Sequence, residues 1–263
     1  MWQGHRPTLL SRKFLQRYLP LEIVLALPLF LQLSHRDTIS DKEKAELFAL
    51  FAGEKSYAAG EEIVREGARP KVSLLLMEGL AARFKVLEDG GRQIAAIHVP
   101  GDFLDLHGFL LKVLAHGVFA LSACTLVQVE HEALKKLTET SPHLTRMLWL
   151  DTLIDASVHR EWLVAMGRRP AIGQLAHLMC ELYVRLKLVD RTDGFSFRLP
   201  VTQNELADVL GLSVVHVNRT LRDLRRRGVI RWEGDRIHID NWDGLVEIAE
   251  FDATYLSLQK EPR

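Results

Sequence analysis

Three hydrophobic patterns follow one another along the chain. From Tyr57 to Val129 apolar residues come in short runs or alternate with polar ones, and glycines punctuate them. Val72 to Met77 is one continuous apolar run, Leu80 to Leu87 alternates, and Gln93 to Val99 returns after the turn Asp89, Gly90, Gly91. Val118 to Leu121 and Thr125 to Val129 complete the set. Short strands at such intervals, joined by glycine turns, predict a small antiparallel barrel. Ahead of it, Ser40 and Glu43 have the spacing of a capping box, which predicts a helix carrying Leu47, Phe48, Leu50 and Phe51.

The second pattern is helical. Ser141 and Pro142 make a helix start, with proline at the first position where no amide hydrogen is needed. Leu144, Met147, Leu148, Leu150, Leu153, Ile154, Val158, Trp162, Leu163 and Ala165 follow, up to about Gly167. That apolar surface is wider than one buried face requires. One side can pack on the barrel while another meets a second copy, and Met147, Ile154 and Val158 lie near one coiled-coil-like seam. The alternative is a helix that serves only the core. A hinge at Gly167 to Pro170 leads to a helix over 171–188, whose face holds Leu175, Leu178, Met179, Leu182, Tyr183 and Leu186.

The third pattern carries the clearest chemistry. Thr202 and Glu205 form a second capping box, and Leu206 and Leu210 give the helix one buried edge. Gly211 supplies a tight turn, and Ser213 caps the next helix. Val217, Leu221 and Leu224 form its inward face, and Gly228 ends it. Glu233, Gly234 and Asp235 fit a hairpin turn between 230–232 and 236–239, and Phe195 to Leu199 is a strand that can pair with that wing. Cap, glycine, second cap, basic helix and wing arrive in the order of a winged helix-turn-helix, whose second helix enters a DNA major groove.

Composition sharpens this without redirecting it. The 263 residues suffice for two domains with real cores, and 48% hydrophobic and 26% charged residues describe an ordinary globular protein. Net charge is zero, but it is unevenly spread. Between Arg168 and Arg236 there are 13 Arg or Lys against 8 Asp or Glu, and between Ser40 and Thr140 there are 12 against 15. A basic module therefore sits beside an acidic one, and the footprint on a polyanion is local. The two cysteines, Cys124 and Cys180, lack metal-ligand spacing and suit a reducing cytoplasm. Two cysteines cannot supply a four-cysteine iron–sulfur site within one chain.

Leu19 to Leu33 is apolar but holds Pro20, Glu22 and Pro28, too interrupted for a span of about 20 apolar residues. Three readings compete for residues 1–35: a poorly structured extension, a start assigned too far upstream, or a short helix packed on the next domain. A membrane anchor is not expected.

Tyr57 to Gly60 with Glu61, Glu62 and Ile63, then Glu66 and Gly67, then Met77 to Gly79, then Asp89 to Arg92, then Pro100 to Phe103, resemble the β-roll of the Crp/Fnr family of bacterial transcription regulators. The module from Pro170 resembles that family's C-terminal domain, and the resemblance covers about residues 36–245. It implies an α+β chain with an N-terminal antiparallel β-roll like a cyclic-nucleotide-binding domain, a long dimerisation helix and a C-terminal winged helix-turn-helix. The corresponding divisions are 1–35, 36–140, 141–169, 170–245 and a tail over 246–263. It also implies a homodimer on a palindromic operator of double-stranded DNA, in the cytoplasm, with RNA polymerase a candidate partner.

Two departures matter. Cyclic-nucleotide-binding members follow Phe103 with Gly-Glu-Leu and later an Arg-Ser or Arg-Thr pair that clamps the cyclic phosphate. Here Leu106 falls where that Glu should be, no arginine occurs between Arg92 and Arg146, and Leu114 and Ala115 stand near the pair's place. A buried phosphate would lack its counter-charge, so cyclic AMP binding in the usual mode is not expected, and no cofactor is. A regulator sensing haem, metal or another small molecule in the roll is the alternative. His98, His107, His116 and His131 invite it, although their spacings show no convergence.

The second departure is in the recognition helix, where Val214 and Val215 replace the family's Arg and Glu. Arg219 matches the later family arginine and is expected to read a guanine, with Val215 against a thymine methyl. His216 and Asn218 are candidates for base or phosphate. Thr202 and Ser213 can donate to phosphate from helix starts. Arg222, Arg225, Arg226 and Arg231 are phosphate candidates, or a solvated basic face. No nucleophile elbow, P-loop, HExxH or paired-carboxylate frame is present, so an enzyme is not expected.

Overall fold

A computed structural model describes residues 27–263, so the part of the Leu19–Leu33 stretch before Leu27 lies outside the described residues. Helix α1 (Pro28–Arg36) starts with proline in its first turn and buries Leu29, Phe30 and Leu33. For residues 28–36 this is the short packed helix, one of the three competing readings, and its side chains belong to the core around Leu75, Phe103, Leu144 and Met147. Gln32 pins the helix by donating to the Pro100 carbonyl (3.3 Å) and to Asp102 Oδ1 (2.9 Å). Gly101 sits beneath it at φ +97°, and a Cβ there would meet the Gln32 amide at 2.8 Å.

Helix α2 (Asp41–Ala49) has the full Ser40–Glu43 capping box. It is shorter than the periodicity implied, because Phe51 already opens strand β1 (Phe51–Tyr57), a strand the sequence pattern hid. Strands β2 (Glu62–Val64), β3 (Val72–Glu78), β4 (Ala81–Val86) and β5 (Arg92–His98) follow. After the short helix α3 (Gly108–Leu111) come β6 (Gly117–Ala120) and β7 (Cys124–Glu130). They form two antiparallel sheets, β1-β7-β3 and β2-β6-β4-β5. Leu76, Leu104, Leu114, Val118, Ala120 and Leu126 fill the space between them, each fully buried.

Helix α4 (His131–Thr140) leads into the long α5 (Pro142–Arg168). Met147, Ile154 and Val158 of α5 are buried within the chain itself, so they are not the seam the sequence suggested. Trp149, Leu153 and Leu163 face outward instead, 64%, 49% and 68% exposed. With Ala156 and Arg160 between them, their spacing of four, three, four and three is that of a heptad stripe.

Helix α6 (Ala171–Leu188) packs with β8 (Thr192–Asp193), β9 (Ser196–Arg198), α7 (Gln203–Leu210), α8 (Val214–Arg226), β10 (Ile230–Glu233) and β11 (Arg236–Ile239). The sheet order β10-β11-β9-β8 joins the wing to the strand after α6, with Ile237 opposite both Trp232 and Phe197. Beyond the wing, α9 (Trp242–Ala249) and a short 3-10 turn (Ala253–Leu256) pack on α6 and α5. The stretch expected as a tail is thus structured: its amides at Glu261 and Arg263 donate to the Arg36 carbonyl (3.0 Å) and Asp37 (2.6 Å). One apolar core runs from Ile94, Ile97 and Phe119 of the roll through Trp162 to Leu178, Leu206 and Leu221.

Candidate nucleic-acid interface

The two-helix unit is built by local chemistry. Thr202 Oγ1 accepts from the Glu205 amide (3.1 Å), while Glu205 Oε2 accepts from the Thr202 amide (2.7 Å) and hydroxyl (2.8 Å). Gly211 closes α7 at φ +64°, a left-handed conformation that costs a side-chain-bearing residue about 1 kcal/mol or more. Ser213 then accepts from the His216 amide (3.3 Å) and starts α8. Val217, Leu221 and Leu224 are buried as the spacing required.

What remains outward on α8 is one stripe. Val215, Arg219, Arg222 and Arg226 are all exposed, and spacings of four, three and four put them on one face. Val215 is 79% exposed, an apolar side chain left in solvent at the start of the helix. Arg222 leans back on the Asn218 carbonyl (3.4 Å), and Arg226 pairs with Asp223. His216 and Asn218 are half-buried beside the stripe.

The structure modifies three expectations. The Thr202 hydroxyl proton is directed at Glu205, so its offer to a phosphate competes with the cap. Arg231 is held by Asp240 (2.9 Å) and Glu233 (2.8 Å). Arg225 donates to the Trp232 carbonyl (3.2 Å), tying α8 to the wing. One residue was missed: Gln203 Oε1 accepts from Asn218 Nδ2 (2.8 Å), which fixes which way that amide points. Two amides on different helices offered no signal in the linear pattern.

The module is oriented by the roll. Arg92 pairs with Asp208 of α7 (2.8 Å), and Gln93 Nε2 donates to the carbonyls of Asp208 (2.7 Å) and Val209 (3.3 Å). Below, Arg185 of α6 bonds Asp102 (2.6 Å) and Glu181 (2.9 Å). The Glu181 carboxylate also receives Trp162 Nε1 and the Tyr255 hydroxyl, both at 3.0 Å. Arg83 of β4 links the roll to α5 through Asp155 (2.9 Å) and to the Leu104 carbonyl (2.9 Å). Against the cost of burial, that guanidinium holds the Asp155 carboxyl down to about 2.

The other candidate groups are spread out. His107 and His116 lie with ring centroids 5.1 Å apart, His131 bonds Ser73 (3.1 Å), and burial pushes His107 down to about 4 and His116 to about 3. Among the described residues no group of three or more His, Cys, Asp or Glu is placed to hold a metal ion. Burial pushes the Cys124 thiol up to about 11 and Cys180 to about 12, leaving both poor nucleophiles. No helix of the described residues is long and apolar enough to cross a membrane.

Residues 173–248 match the model of a Crp-like helix-turn-helix domain, and 54–141 match that of a cyclic nucleotide-binding domain. The chain is 30% identical to the transcriptional activator protein FnrL of Cereibacter sphaeroides over 203 residues, covering 76% of this chain and 81% of FnrL. It is 29% identical to the nitrogen fixation regulation protein FixK of Bradyrhizobium diazoefficiens, covering 66% and 72%. Among solved structures, FixK2 from Bradyrhizobium japonicum superposes with a TM-score of 0.68 at 26% identity, over 74% of this chain and 96% of that one.

Proposed function

Because the chain belongs to the Crp/Fnr family of DNA-binding transcription regulators, we propose that it works as a homodimer reading a palindromic operator through two copies of α8. The family is one of transcription factors, not enzymes. The observation that carries the reading is the exposed stripe of Val215, Arg219, Arg222 and Arg226 on a helix whose opposite face is buried. Arg219 is assigned to a guanine and Val215 to a thymine methyl, because a fork of donors and a bare apolar surface suit those two base edges. Arg222 and Arg226 sit further along the helix and are assigned to phosphates, and Ser213 and Thr202 to the backbone near the helix starts. His216 and Asn218 complete the candidate contacts.

The dimer rests on the outward stripe of α5. Trp149, Leu153 and Leu163 would be costly to leave in water, at about 1.5–3 kcal/mol for a large apolar side chain. Arg160 interrupts the stripe, as single polar residues do where register matters more than strength. The divisions proposed are a roll that includes α1, a linking helix α5 and a DNA-binding module that includes α9. FnrL is described as a transcriptional activator, and on that footing RNA polymerase is a further proposed partner.

The roll is not proposed to hold cyclic AMP. Leucines fill the space between its sheets. The buried Asp105 carboxylate beside Leu104 accepts from the Leu74 amide (2.7 Å) and has no guanidinium partner among the described residues. Burial pushes that carboxyl up to about 7. Calorimetric titration with cyclic AMP is expected to give no saturable heat; tight binding would overturn this part. Footprinting on promoter DNA at two salt concentrations tests the main proposal. Discrete protected sites that survive competitor DNA and weaken steeply with salt are expected; protection indifferent to sequence would count against it.

A further inference from the structure

A cavity lies where the roll, α1, α5 and α6 meet, outside the interior of the β-roll. It has about 40 Å³ for the centres of water-sized groups, room for about three of them. Arg36, His98, Asp102, Asp151, Asp155 and Arg185 are its charged or titratable lining.

The charges of four of these six groups are accounted for internally. Asp102 receives Gln32, the Val99 amide and Arg185. Asp155 receives Arg83. Arg185 is shared between Asp102 and Glu181. His98 is uncharged, driven well below its ordinary range by burial and by Arg83.

Arg36 and Asp151 are not accounted for. Arg36 is 5% exposed, yet its Nε has no partner among the described residues, and its one side-chain bond is a long one to Gln32 (3.4 Å). Asp151 is half-buried; among the described residues no hydrogen bond reaches its carboxyl, which burial pushes up to about 7. The two feel each other's charge but make no ion pair within 4 Å. His98 Nε2 is, with Arg36 Nε, a buried lining atom without a partner among the described residues. Buried charges are ordinarily paired, and leaving one unpaired costs several kcal/mol.

The geometry points to a binding site for a small zwitterion, an amino acid of glycine-to-serine size, whose carboxylate pairs with Arg36 and whose ammonium pairs with Asp151. The size follows from the cavity and the two opposite charges from the two unpaired groups. An anion alone would leave Asp151 unmatched, and a cation alone would leave Arg36 so. Such an occupant touches α1 and the roll on one side and Leu188 and Leu256 of the DNA-binding half on the other. It can therefore bias their packing through differential contacts.

The test uses the full chain without DNA, so that its outcome is separate from the DNA-binding proposal. Glycine, L-alanine and L-serine are titrated calorimetrically, with sodium acetate and ammonium chloride as single-charge controls. At least one amino acid should bind saturably at one per chain and at least about tenfold more tightly than either control. Arg36→Met and Asp151→Asn should each weaken it at least about tenfold, a loss of about 1.4 kcal/mol. Asp151→Asn is nearly isosteric and decides the matter if Arg36→Met does not fold. Absence of binding by all three, binding unchanged in Asp151→Asn, or equal binding of acetate or ammonium would overturn the assignment.

Discussion

Arg219 is the residue on which specificity is predicted to turn. Arg219→Ala should remove about 1–3 kcal/mol of discrimination at one base pair per half-site while leaving non-specific affinity nearly unchanged. Arg226→Ala should weaken all sequences alike and make the salt slope shallower by about one. Competition binding with single-base operator variants separates the two, and uniform loss for Arg219→Ala would sink its assignment. Gln203→Ala tests the amide pair: freeing Asn218 should blur preference at its base step without altering the helical circular dichroism signal. The sequence exposed Arg219, Arg222 and Val215 because helical spacing alone puts them opposite Val217, Leu221 and Leu224. It could not expose the Gln203–Asn218 bond, the Arg231–Asp240 pair or the Asp102–Arg185 bond. Each joins residues on different elements, and single-chain periodicity contains no term for that.

Among the elements, α5 carries the firmest prediction. Leu153→Arg with Leu163→Arg should give monomers in sedimentation equilibrium and weaken operator binding by about 100-fold or more, since linked half-sites gain that much from being joined. A dimer that survives both changes would move the seam elsewhere. The sequence showed that α5 had too much apolar surface but not which part faces inward. Met147, Ile154 and Val158 are as apolar as Trp149, Leu153 and Leu163, and only the packing of the roll and α6 decides between them. Strand β1 was concealed for a related reason: Phe48 and Phe51 are three apart and read as one helical face, whereas the helix stops at Ala49.

The start of α5 has its own pH signature. His143 bonds Glu43 (2.5 Å) and Asp37 (3.0 Å), and these bonds raise it above its ordinary range. Burial works against Asp37 and Glu43, yet their hydrogen bonds hold both below theirs. The histidine's contribution is full below its unfolded value of about 6.5 and is lost as pH rises through the raised one. The carboxylates' contribution is full above about 4.5 and is lost as pH falls through the lowered values. His143→Gln should therefore lower Tm most near pH 5.5, by about 2–4 °C for about 1 kcal/mol, and hardly at pH 9. An equal loss at both pH values would count against the ionic account.

At the scale of the whole molecule, the division into an acidic roll and a basic two-helix module was legible from charge, glycine turns and caps. The closing of the chain on itself was not. Arg36 and Asp37 near one end meet Glu261 and Arg263 at the other, and nothing in either segment's pattern announces a partner more than 200 residues away. A symmetric dimer with two copies of α8 imposes its own symmetry on the DNA it prefers. Selection from random duplexes with the full chain tests that most directly. A two-fold symmetric dimer should enrich an inverted repeat whose half-sites are centred about one helical turn, 10–10.5 base pairs, apart. Enrichment of a single asymmetric half-site, or of no sequence at all, would contradict it.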